Sequence, residues 1–119
     1  MKKQRSHPTF LSGVPELLIL NLLAGKPMYG YELVKAIKAS TGDALEFGEG
    51  CIYPILHRLE ADGQLRATEE LAQGRSRLVY RVTSAGRKQL SESVSRWERI
   101  VAAVTRSLQG GDLEQPALA

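Results

Sequence analysis

Cysteine and histidine are scarce in this sequence. Cys51 is the only cysteine, and His7 and His57 are the only histidines. One cysteine excludes an internal disulfide, and these three side chains do not have the spacing of a zinc site. Cys51 and His57 are six residues apart, so a helix would place them on different faces, too far apart to act as a nucleophile and its base. We therefore expect no metal, no cofactor and no enzymatic activity.

Long apolar runs are also missing. No stretch approaches the ~20 residues that span a bilayer, and the basic start MKKQRSHPTF has no apolar region of a signal peptide behind it. We therefore expect a cytoplasmic protein with no membrane partner. A length of 119 residues, 43% of them hydrophobic, fits one compact domain. The net charge of +3 is compatible with nucleic-acid binding but does not identify it.

The N-terminal third predicts a loose basic arm over residues 1–10 and then a helix from Leu11 to Ala24. Leucine and isoleucine surround this helix on almost every side. A helix of that kind must be covered on two sides, and a domain of this size covers only one. We therefore expect Leu17 or Leu20 to contact a second copy of the protein. A short amphipathic helix starting near Tyr29 follows.

The stretch GEGCIYPILHRLEADG at 48–63 predicts a third helix with two different faces. Ile52, Leu56 and Leu59 belong to an apolar core face, and Gly63 is suited to the C-terminal end of the helix. The opposite face has few acidic residues. It offers small residues, a proline and hydrogen-bonding side chains, which suits a helix whose first turns enter a groove. Its members are Gly50, Cys51, Tyr53, Pro54, His57 and Arg58.

The second half of the chain predicts a β-hairpin and a long helix. Apolar and basic residues alternate over 77–82, and Gln73-Gly74 marks the turn, with Gly74, Arg75, Ser76 and Arg77 expected at the tip. Thr83 is placed to cap a helix over residues 84–108. Apolar residues recur along that helix at spacings of 4, 3, 4, 3 and 4, a period that packs helix on helix. We call these residues the apolar seam: Leu90, Val94, Trp97, Val101, Val104 and Leu108.

This order of elements predicts the fold. Three helices followed by a hairpin are typical of a winged helix-turn-helix, in which the third helix enters the major groove of double-stranded DNA and the hairpin is the wing. The expected class is mostly α (α+β), with a winged helix-turn-helix over residues 11–83, a dimerisation helix over 84–108 and a disordered tail over 109–119. The seam predicts a homodimer.

Several short motifs occur together between residues 29 and 87: YGYEL at 29–33, IYPILHRLE at 52–60 with Gly63, GRSR at 74–77, and YRVT at 80–83 with Gly86-Arg87. In this combination the sequence resembles the PadR family of bacterial transcriptional regulators. The resemblance implies a homodimer that binds inverted-repeat operators and usually represses. It also implies that Tyr53 and the basic wing lie at the DNA. The residues expected at the DNA are Tyr31, Gly50, Cys51, Tyr53, Pro54, His57, Arg58, Arg75 and Arg77.

The resemblance extends to Trp97, the single tryptophan. Small multidrug-sensing members of the PadR family are similar in having a tryptophan at the matching place in the final helix, where planar aromatic compounds stack between two copies. This implies a small aromatic effector bound at Trp97. Packing of Trp97 in the core of the seam is the alternative interpretation.

Two further alternatives stay open. Tyr53 and Tyr80 are also compatible with positions at the edge of the hydrophobic core. The rival function is a winged helix that serves as a protein-interaction module without specific DNA binding. Such a module would keep the apolar core and the seam but lose the cations of the wing. Because Arg75 and Arg77 are present, the sequence favours DNA binding.

Overall fold

The computed structural model describes residues 9–110, so most of the expected basic arm and most of the expected tail lie outside the described residues. The described part has a mostly helical winged helix-turn-helix fold followed by a long C-terminal helix, which confirms the predicted fold class. Its elements are α1 Thr9–Gly25, β1 Met28–Tyr29, α2 Gly30–Ser40, α3 Glu49–Ala61, β2 Leu65–Ala72, β3 Arg75–Val82 and α4 Ser84–Leu108. None of the helices within residues 9–110 is long and apolar enough to cross a membrane.

The sheet has three antiparallel strands in the order β1-β3-β2. β1 was not predicted. It pairs Met28 with Tyr80 and Tyr29 with Val79. Two residues are too few to show the alternation that marks a strand, so only the pairing with a distant segment defines β1. The pairing joins the start of α2 to the middle of β3.

The β2–β3 hairpin, which we call the wing, turns at Gln73 and Gly74 as predicted. Both residues have left-handed φ angles, 54° and 77°, as a two-residue type I′ turn requires. Arg75 pairs with Ala72 directly beside the turn, and Arg77 pairs with Glu70 further along the strands. The structure therefore corrects the expected tip, because Arg75, Ser76 and Arg77 all lie within β3 and only Gln73 and Gly74 form the turn.

The core is formed by one side of each helix and the inner face of the sheet. Tyr80 belongs to this core and is 2% exposed, in line with the core interpretation of that residue. The structure does not support Leu20 as a dimer contact, because its side chain is wholly buried in the core of the chain. α1 is apolar on nearly every side, so its sequence did not distinguish the inward face from the outward one. Leu17 remains partly exposed.

Thr83 joins three elements. Its hydroxyl oxygen accepts a hydrogen bond from the Gly86 amide at 3.1 Å, which confirms the predicted cap of α4. The same hydroxyl donates to the carbonyl oxygen of Gly63 at 2.6 Å. Gly63, with a φ of 79°, turns the chain from α3 into β2. The start of α4 is thereby fixed to the end of α3.

Candidate nucleic-acid interface

The outward side of α3 is the first component of the site. Ile52, Leu56 and Leu59 are fully buried and anchor the helix, so the opposite side faces solvent. Gly50, Cys51, Pro54 and His57 are exposed there, and Tyr53 is half-buried at its margin. We call these five residues the recognition face. Partial burial raises the pKa of the Cys51 thiol, so the thiol is protonated and weakly nucleophilic at neutral pH.

Tyr53 is held against the start of α2. A Cβ atom on Gly30 would lie 2.6 Å from the Tyr53 hydroxyl oxygen, so the ring occupies the space that only glycine leaves free. Burial raises the pKa of Tyr53, the nearby Glu49 carboxylate raises it further, and the Arg77 guanidinium opposes both. The hydroxyl therefore stays protonated near neutral pH and is able to donate a hydrogen bond.

An open cleft of about 270 Å³ lies between the start of α2, the recognition face and β3. Arg77 covers one side, with its guanidinium carbon 4.3 Å from the centre of the Tyr29 ring. Lys35 lies over the Tyr31 ring at 5.3 Å. The cleft therefore combines aromatic walls with positive charge. Its lining residues are Tyr29, Gly30, Tyr31, Tyr53, His57, Arg77, Leu78 and Tyr80.

The outer face of the wing carries four arginines. Arg66 pairs with Arg81, Glu70 with Arg77, and Ala72 with Arg75 across the strands, and residues at alternate positions share one face. Glu70 forms an ion pair with Arg81 at 2.9 Å. Among residues 9–110, no carboxylate lies within ion-pair distance of Arg66, Arg75 or Arg77. Arg66, Arg75 and Arg77 are therefore the arginines of the wing with charge left for an anionic partner, and Arg75 and Arg77 are the two nearest the turn.

Arg58 has different surroundings from the other predicted contacts. Its Nη2 donates to Glu16 Oε1 at 2.7 Å, and its Nη1 lies 3.9 Å from Asp62 Oδ2. The guanidinium is thus held toward α1. The structure brings Tyr31, Tyr53, His57 and Arg77 together around the cleft but does not bring Arg58 into that group.

The apolar seam lies along a helix that projects from the body, in a protomer 68 Å long and 34 Å wide. Leu90 and Val94 are half-buried. Exposure then rises along the helix, from 36% at Trp97 to 51% at Val104 and 81% at Leu108. Within residues 9–110, nothing covers the second half of this stripe.

The comparisons with known proteins agree with this architecture. Residues 19–92 match the model of the family described as "Transcriptional regulator PadR-like family". The chain belongs to this family. The matched segment extends from the middle of α1 to the first turns of α4, so it contains α3, the wing and the cleft between them.

Relatives of this PadR-like protein include the transcriptional regulator Rv3488 of Mycobacterium tuberculosis. It is 45% identical over 62 residues, which are 52% of this chain and 54% of that protein. The crystal structure of a PadR-like transcriptional regulator from Bacillus cereus superposes with a TM-score of 0.73 at 30% identity, covering 86% of this chain and 98% of that one. A transcriptional regulator from Clostridium thermocellum gives a TM-score of 0.76 at 25% identity, with coverage of 86% and 97%.

Membership in the PadR-like family confirms the resemblance noted in the sequence. The protein is a DNA-binding transcriptional regulator and not an enzyme. Sequence reasoning missed three residues of the interface region, Glu16, Tyr29 and Lys35. Tyr29 was visible in the YGYEL motif, but its place beneath Arg77 depends on the pairing of β1 with β3. No signal in the sequence linked Glu16 to Arg58, because the two residues are 42 positions apart.

Proposed function

We propose that this PadR-like protein is a cytoplasmic homodimeric repressor that binds an inverted-repeat operator in double-stranded DNA. The proposal rests on one continuous surface. It combines the exposed N-terminus of α3, the aromatic cleft, and Arg75 and Arg77, which have no carboxylate partner among residues 9–110. Helix N-terminal amides and arginines favour phosphate, and a helix with small side chains fits the major groove.

In the proposed complex, α3 lies in the major groove and the wing contacts the adjacent backbone. Tyr31 and Tyr53 are placed to donate hydrogen bonds, and Arg75 and Arg77 to neutralise phosphates. Two observations support this arrangement: Tyr31 and Arg75 are exposed, and Tyr31, Tyr53 and Arg77 line one cleft. The proposed DNA-contacting residues are Tyr31, Gly50, Cys51, Tyr53, Pro54, His57, Arg75 and Arg77.

The homodimer is proposed to form through the apolar seam of α4 together with Leu17 of α1. Burying an apolar stripe against its own copy removes it from water on both chains. A two-fold axis then presents two recognition faces to half-sites about 34 Å apart on one side of the DNA. The seam residues proposed at this contact are Leu90, Val94, Trp97, Val101 and Val104.

The operator is identified by sequencing the DNA that the purified protein retains from fragmented genomic DNA. On that operator, replacing Arg75 and Arg77 by alanine is expected to weaken binding to all sequences. It should also lower the slope of log affinity against log salt by about 1 to 2, since each phosphate contact contributes about 0.9. A matched control replaces Arg96 and Arg99 on α4. Unchanged affinity and slope in the wing variant would contradict the wing assignment.

We also propose that a planar aromatic effector binds between two copies of Trp97 and releases the DNA. The partial exposure of Trp97 on the seam supports a place for it at the two-fold axis. Because the chain has one tryptophan, its emission reports on one position per chain. Titration with flat cationic dyes and with phenolic acids should quench this emission and lower operator affinity. If Trp97→Ala binds the same compounds equally well, Trp97 is a packing residue.

A further inference from the structure

We propose that Glu16 and Arg58 form a brace that sets the orientation of α3 on α1, so that Arg58 positions the recognition face instead of contacting DNA. This inference rests on the proposed function, in which α3 enters the major groove. It assigns a role to Glu16, which lies outside the predicted interface.

The surroundings of Glu16 point to a specific partner. It is the only charged residue in α1, whose sequence is TFLSGVPELLILNLLAG, and its side chain is only 21% exposed. A carboxylate in such a place is unfavourable unless a cation pairs with it. Arg58 supplies that cation through a hydrogen bond of 2.7 Å, a length typical of charge-assisted bonds.

Arg58 is correspondingly occupied on both terminal nitrogens. Nη2 faces Glu16, and Nη1 faces Asp62, the C-cap residue directly after α3. A DNA phosphate would therefore meet a guanidinium whose charge is already paired with Glu16. Arg75 and Arg77 have no such competitor among the described residues. The geometry therefore separates Arg58 from the arginines that are available to DNA.

The position of Glu16 explains what the brace controls. α1 packs on α4, and Leu17, the residue after Glu16, is part of the proposed dimer contact. The ion pair therefore links the helix that enters DNA directly to a helix at the dimer contact. A small rotation of α3 about its axis would move the recognition face relative to the second half-site, and loss of the brace removes one restraint on that rotation.

The test uses the full-length protein and its operator, with Arg58→Ala, Glu16→Gln, both changes together, and the reversed pair Glu16→Arg with Arg58→Glu. Each single change should weaken operator binding by about 3- to 10-fold, as expected for two residues that act in contact. The double variant should lose no more than either single variant. The reversed pair should recover most of the affinity, and the salt slope should stay at its wild-type value throughout.

A phosphate contact would give a different pattern. Arg58→Ala would lower the salt slope by about 0.9, and Glu16→Gln would leave the affinity unchanged or raise it. That result, or a folded reversed pair that recovers nothing, would overturn the proposal. Urea unfolding of the wild type and the same four variants measures the coupling free energy between Glu16 and Arg58 without DNA. A coupling free energy of zero would also overturn the proposal. Failure of the proposed function appears separately, as a wild-type protein that retains no specific DNA.

Discussion

Individual arginines in this protein differ in what surrounds them, and these differences determine what each can bind. Arg81 is paired with Glu70 and also donates to the Thr68 hydroxyl at 2.8 Å. Arg77 lies over the Tyr29 ring, which restricts its guanidinium without neutralising it. Arg75 is exposed beside the turn of the wing. The sequence shows the number and positions of the arginines, but pairing depends on partners that only the fold brings close.

Glycine also has two different roles at the interface, at Gly30 and Gly50. Gly30→Ala would force its Cβ into the Tyr53 ring, since the Tyr53 hydroxyl oxygen would be 2.6 Å away. We expect this change to lower the free energy of unfolding by about 1 to 3 kcal/mol. It should also weaken operator binding, because Tyr53 must move. Urea denaturation at fixed protein concentration measures the first effect and a binding titration the second.

Gly50→Ala is the matched control for that prediction. No atom outside the local helix lies within 4 Å of the added Cβ, and alanine favours helix over glycine, so stability should stay the same or rise by about 0.5 kcal/mol. Operator binding should still fall, because Gly50 is on the recognition face. Equal stability of the two variants would mean that Tyr53 does not rest on Gly30.

Among the elements, those with strong local signals were predicted well from sequence. α4 occupies Ser84–Leu108 as expected, because Thr83 marks its start and the apolar period continues through it. The turn of the wing was identifiable because Gly74 adopts a left-handed φ angle without steric cost. α1 begins at Thr9 rather than Leu11, and its inward face was not identifiable, because an almost uniformly apolar helix has no directional pattern.

Long-range contacts explain the remaining differences. β1 exists only through its pairing with β3, and the cleft beside it depends on that pairing. The exposed face of α3 was predictable from its periodicity, so Gly50, Pro54 and His57 lie where the sequence placed them. The surroundings of Arg58 and Arg77 were not predictable, because Glu16 and Tyr29 are distant in sequence.

The two hydrogen bonds of Thr83, at the boundary between β3 and α4, give a prediction about stability. Thr83→Ala removes both the cap of α4 and the hydrogen bond to the Gly63 carbonyl, so it should lower the free energy of unfolding by about 1 to 2 kcal/mol. Thr83→Ser keeps the hydroxyl and is the control, with an expected change below about 0.5 kcal/mol. Urea denaturation distinguishes the two. Similar losses in both variants would show that the methyl group, not the hydroxyl, stabilises this boundary.

For the whole molecule, the decisive feature is the exposed part of the apolar seam. The winged helix has its own buried core, so it does not need α4 beyond the first turns to cover it. Trp97, Val101 and Val104 are nevertheless apolar and between 36% and 51% exposed. In the proposed dimer, this arrangement would let each winged helix fold independently while the projecting helix sets the distance between the two domains.

The corresponding prediction is that Val101→Glu converts the dimer to monomers. Two like charges would be buried at the two-fold contact, so the dissociation constant should rise by about 100-fold or more. Ala103→Glu is the control, since Ala103 is exposed on the same helix but outside the seam. Sedimentation at micromolar concentration should show a dimer for the wild type and the control and a monomer for Val101→Glu.

The monomer should keep the helical circular dichroism of its winged helix and bind single half-sites with lower affinity. A wild-type monomer at that concentration would contradict the dimer and the paired half-sites with it, whereas dissociation of both variants would place the contact on another face of α4.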